Sequence, residues 1–170
     1  MKRVYILLAA LVFATGCSDS DTAPAPDNNR PQFVASLLAS NEVPPISGAE
    51  ATASGAATVV FNLTRDGAGA ITAATVDFRV ELSGFPSTAN ITNAHIHTGA
   101  AGANGAVLVN AQAAGGTVTL TNGVGTFVRT ALPITAAQAQ SIINNPAGFY
   151  FNVHTSANPG GVIRGQLARQ

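Results

Sequence analysis

The chain has only three histidines, and all of them lie in two short segments: AHIHTGAAGANGAVLVN at residues 94–110 and YFNVHTSANPGGVIRGQL at residues 150–167. Side chains alternate faces along an extended strand, so His95 and His97 point one way and Ile96 the other. In the second segment Asn152 and His154 share a face, and further on Arg164 and Gln166 alternate with Ile163 and Leu167. Neutral imidazoles suit Cu, Zn, Fe or Ni. An H-x-H pair plus a third histidine from a neighbouring strand makes a three-nitrogen site with one open position. Glu42, Asn152 and Thr155 are candidate partners that would fix the ring tautomers. The same residues also admit a plainer use, in which the histidines and Arg164 form a hydrogen-bonded polar network tying strands and loops together. In that use Glu42 is expected to pair with Arg164 as a salt bridge.

The rest of the chain must supply a β-scaffold that brings the two segments together. Probable strands cover residues 33–38, 55–63, 71–82, 91–98, 106–110, 117–121, 124–130, 149–154 and 162–167. They are punctuated by turn sequences such as Arg65-Asp66-Gly67-Ala68-Gly69 and Asn158-Pro159-Gly160-Gly161. In residues 71–82, Val76, Phe78, Val80 and Leu82 face one side, and Asp77, Arg79 and Glu81 the other, as in a sheet with one wet face. Asn122-Gly123 is the preferred pair for a type I′ hairpin. One helix interrupts the strands: Thr135 and Gln138 fit a capping box, and the helix should run to about Asn144, before Pro146. This count and spacing predict an all-β, antiparallel Greek-key or immunoglobulin-like β-sandwich with one short helix.

Composition narrows the function classes. With 170 residues, 46% hydrophobic and 9% charged, the chain can bury one good core. Lys2 is the only lysine, and without Lys2 and Arg3 six Arg face eight Asp plus Glu, so no basic surface for nucleic acid exists. The glycines Gly99, Gly102 and Gly105 lack the strand-to-helix setting of a phosphate loop and are expected to give positive φ in a surface loop. No nucleophile elbow occurs, and Glu42, a possible acid, has no evident carboxylate partner nearby in sequence, so no catalytic residue is assigned.

The first residues carry an address. Met1-Lys2-Arg3, an apolar run over residues 4–13 and Ala14-Thr15-Gly16-Cys17 resemble a bacterial lipoprotein signal. That resemblance implies removal of residues 1–16 and acylation of Cys17, with membrane attachment through the lipid in the cell envelope. The apolar run is too short to span a bilayer. SDSDTAPAPDNNRP follows the cysteine, and residues 17–31 read as a lipidated flexible tether to a domain at 32–170.

The order LxASNEVPP, AHIHTGAAGANGAVLVN, a short helix, then GFYFNVHTSANPGGVIRGQL resembles the CHRD domain, named from chordin. The resemblance spans about residues 32–167 and implies an extracellular immunoglobulin-like β-domain acting as a non-enzymatic binding or structural module. The H-x-H strand, a later lone histidine and a following arginine are also similar to the copper centre of copper/zinc superoxide dismutase. That second resemblance implies His95, His97 and His154 as metal ligands and Arg164 as the group attracting an anion. The chain lacks the further histidines, the aspartate and the disulfide of that family. Two classes therefore stand side by side: a non-enzymatic envelope module, and a small metalloprotein binding Cu or Zn.

Overall fold

Alternation in the sequence becomes alternation in burial. In the computed structural model, which describes residues 27–111 and 118–170, Val76, Phe78, Val80 and Leu82 are buried while Arg79 and Glu81 are exposed. They belong to β3 (Ile71–Ser83), which pairs along almost its whole length with β2 (Ser54–Arg65). The turn between them is held by Asp66, whose carboxylate accepts from the backbone N–H groups of Ala68 and Ala70. β2 also pairs with β1 (Gln32–Leu38), and β3 with β6 (Gly125–Ile134).

The other strands form a second run. β4 (Ile91–Thr98) lies between β5 (Val107–Asn110) and β7 (Phe149–Thr155), and β7 pairs on its far side with β8 (Ile163–Gln166). All pairings are antiparallel. The strands hydrogen-bond as one sheet in the order β5-β4-β7-β8-β1-β2-β3-β6, with the short β9 (Ala168–Arg169) pairing with β1. A two-sheet sandwich was expected; instead its two halves are joined at a narrow seam, where β1 and β8 meet through Leu38 and Arg164. The sheet rolls up on itself. Phe78 on β3 and Phe151 on β7 are four strand spacings apart, about 19 Å in a flat sheet, yet their rings lie 5.8 Å apart. The apolar faces of both halves thus enclose one core.

Of the expected local features, the helix is α1 (Ala136–Asn144), and both reciprocal bonds of the Thr135–Gln138 capping box are present. Asn122 and Gly123 both have positive φ and the flanking Thr121 and Val124 form a bridge, as a type I′ turn requires. No regular strand is present at the described residues 118–121, where Val118 and Thr121 make isolated bridges only. The signal sequence, Cys17 and most of the expected tether lie outside the described residues. The end of that tether is packed: Asn29 and Pro31 carbonyls accept from the backbone N–H groups of Leu63 and Phe61 on β2. Among the described residues no helix is long and apolar enough to cross a membrane.

Candidate metal centre

Strand pairing decides which polar residues meet. His95 lies opposite Asn152, His97 opposite Tyr150, and Asn152 in turn opposite Arg164. The core takes Ile96, Phe151 and Val153 on one face. The other face carries the polar row, and all seven residues of β7 are buried because that face is covered too. Loops do the covering: Glu42 to Pro45 after β1, Asn104 and Gly105 between β4 and β5, and Asn158 to Gly161 between β7 and β8.

The three histidines converge under these loops. One ring nitrogen from each of His95, His97 and His154 lies within 4.8 Å of the others. Nδ1 of His95 is 2.8 Å from Nε2 of His154. Two nitrogens on one tetrahedral ion at ordinary Zn–N bond lengths are about 3.3 Å apart, so only side-chain adjustments separate this cluster from a coordination sphere. Backbone carbonyls hold the other nitrogens: Nδ1 of His97 donates to Gly105 O at 3.0 Å, and Nδ1 of His154 to Pro159 O at 3.0 Å. Each of these rings therefore presents its Nε2 lone pair inward. Nε2 of His97 is buried and has no hydrogen-bond partner. His95 is half-buried, and burial together with its two histidine neighbours lowers its pKa to about 4. Burial also lowers that of His154, against the opposing bond to Pro159. Both rings are thus neutral at ordinary pH, the form that binds a metal.

The expected supporting residues divide. Glu42, Asn152 and Arg164 do gather beside the cluster, all buried. None of them fixes a ring tautomer, since the backbone carbonyls of Gly105 and Pro159 do that. Thr155 is turned elsewhere: its hydroxyl donates to Glu50 at 2.7 Å, and Asn158 also donates to that carboxylate. Glu50 thereby braces the last loop from a position the sequence did not mark out. The expected Glu42–Arg164 salt bridge does not form: Arg164 donates through Nη1 to Asn104 Oδ1 at 2.9 Å, and its Nη2 and the Glu42 Oε1 are left without partners. Nor does Arg164 reach the histidines directly. β7 lies between β4 and β8, so Tyr150 has His97 stacked on one face, centroids 4.9 Å apart at 7°, and the Arg164 guanidinium over the other at 4.3 Å. The aromatic ring thus stands between the cation and His97.

Asn104, Gly105 and Tyr150 were missed in sequence. Tyr150 was recoverable, being two residues before Asn152 on the same face; the loop residues carried no such signal. The three-residue glycine spacing was also misleading. Gly99 and Gly102 have positive φ, but Gly105 does not. It is glycine because a Cβ there would overlap the Thr98 carbonyl oxygen.

Glu42 gives the site a pH dependence. Burial pushes its carboxyl up to about 7, against the pull of Arg164 and of the Val43 backbone, and its Oε1 has no partner. A carboxyl whose folded pKa is raised contributes stability that is fully present below pH 4.5 and is lost as pH rises through about 7. Glu42→Gln is expected to be more stable than the parent at pH 8 by about 1–3 kcal/mol, and nearly equal to it at pH 4. Urea unfolding at the two pH values checks this; parallel pH profiles for both proteins would refute it. His95 contributes the opposite slope, since its depressed pKa gives stability present above pH 6.5 and lost as pH falls towards 4.

Comparison with known proteins gives one match: the family model described as CHRD domain aligns with residues 33–167. No curated protein and no solved structure matches this chain.

Proposed function

Given that the chain belongs to the CHRD domain family, we propose that this domain is a non-enzymatic metal-binding module, with Cu or Zn held by His95, His97 and His154. The observation that carries the reading is the convergence of the three rings, one nitrogen of each lying within 4.8 Å of the others, together with a His97 Nε2 that is buried and has no partner. A buried polar atom left unpaired costs about 1–3 kcal/mol, and coordination to a metal would remove that cost. The chemistry of the donor set agrees: three imidazoles, two of them oriented by backbone carbonyls, are the usual setting of borderline-soft cations. On binding, the ion replaces the proton shared by His95 and His154, and the His95 proton moves to its other ring nitrogen.

Dialysis of the purified domain against Cu or Zn, followed by metal analysis, tests this. One ion per chain is expected in the parent, with most of it lost in both His97→Ala and His154→Ala. No bound metal in the parent, or metal retained by both variants, would refute the reading.

The place of action is proposed from the leader, as an extracytoplasmic module tethered by acylated Cys17. Palmitate labelling of the full chain is expected to vanish in Cys17→Ser, with the protein moving from the membrane to the soluble fraction. An unlabelled parent would rule the anchor out.

A further inference from the structure

We propose that Tyr150 and Arg164 are positioning residues for His97, acting through the Asn104–Gly105 peptide of the loop between β4 and β5. The proposal deepens the metal-binding reading and rests on it for its purpose. Its argument is a closed circuit of contacts. The Gly105 carbonyl accepts from Nδ1 of His97 at 3.0 Å, and the Gly105 N–H donates to the Tyr150 hydroxyl at 3.3 Å. Tyr150 stacks on His97, and the Arg164 guanidinium covers the opposite face of the tyrosine. The same guanidinium donates to Asn104 Oδ1 at 2.9 Å, and Asn104 Nδ2 donates to Val43 O at 3.0 Å.

Each contact constrains the same variable. A histidine ring can turn over or exchange tautomers at little energetic cost; the first would point a C–H at the ion and the second an N–H, in place of a lone pair. Stacking on Tyr150 fixes the plane of the His97 ring. The Gly105 carbonyl fixes which nitrogen carries the proton. Arg164 holds the side chain of Asn104, the residue before Gly105, and also the outer face of the tyrosine. Gly105 cannot shift outward to make room for a side chain, since Thr98 O closes the space where a Cβ would go.

The buried guanidinium is otherwise hard to account for. Arg164 is 2% exposed and has no carboxylate within 4.0 Å among the described residues. Burying a guanidinium without an ion partner is a poor route to stability. Its two contacts, to the Tyr150 face and to Asn104, both bear on the loop that orients His97.

Two measurements on Arg164→Lys, Tyr150→Leu and Asn104→Ala test the proposal. The first is the His97 tautomer in metal-free protein, read from nitrogen chemical shifts. The second is Cu(II) affinity by competition with a chelator. The parent is expected to show a single Nδ1–H tautomer at His97, and the variants a mixture, with affinity lowered 10- to 100-fold, as for loss of groups that orient metal ligands. Asn104 is exposed, so its variant folds even if the buried substitutions do not. A purely structural role would lower the melting temperature and leave the tautomer and affinity unchanged; that result overturns the proposal. If the parent binds no metal, the metal-binding reading fails by itself, and the tautomer measurement still decides the positioning role.

Discussion

On the proposed metal-binding reading, saturating the domain with Cu or Zn is expected to raise its melting temperature by about 10 °C. At a free ion concentration 1,000 times the dissociation constant, binding to the folded state alone adds about 4 kcal/mol. A domain of this size shifts by roughly 2–4 °C per kcal/mol. The effect should be large because the site is nearly assembled before the ion arrives. The nitrogens are within 4.8 Å, two rings are already oriented, and two have depressed pKa values, so few protons compete. His97→Ala should abolish the shift. Without metal the same substitution removes an unpaired buried nitrogen along with one hydrogen bond and one ring stack, so its own cost should be only about 1–2 kcal/mol. Thermal melts with metal, with chelator, and with the variant separate these terms. A parent protein that melts at one temperature with and without Cu or Zn would dispose of the idea.

Phe151→Ala should be the most destabilising single change, costing about 3–5 kcal/mol. Phe151 is fully buried and its ring meets Phe78 across the rolled sheet. Its strand joins β4 to β8, so the residue supports the whole polar row from behind. A cavity there would loosen β7 and with it Tyr150, Asn152 and His154. Urea unfolding should show the lower midpoint with an unchanged slope, and metal affinity should fall with it. A loss below 1 kcal/mol would mean that the two halves of the sheet are held together elsewhere.

Much of this organisation is legible in residue order because it is local. Period-two alternation put Val76, Phe78 and Val80 on one face, and His95 and His97 together on another. Asn122-Gly123 specified its turn, and Thr135 with Gln138 specified the start of the helix at Ala136. These signals failed where the outcome depended on partners distant in sequence. Thr155 has the type and position of a histidine partner but bonds Glu50, 105 residues away. Glu42 and Arg164 have opposite charges, yet Asn104 takes the guanidinium.

Sequence by itself determined which side chains share a face, where most of the turns fall, and that the chain has only three imidazoles, all in two short segments, because these follow from strand geometry and side-chain chemistry within a few residues. Tertiary structure alone decided that the strands form one rolled sheet, that Tyr150 stands between Arg164 and His97, and that backbone carbonyls from two loops choose the histidine tautomers. Those outcomes depend on which strands become neighbours and on how the loops settle over them. Many sequences with the same alternation could satisfy the first set, but only the long-range pairing of β4, β7 and β8 fixes the second.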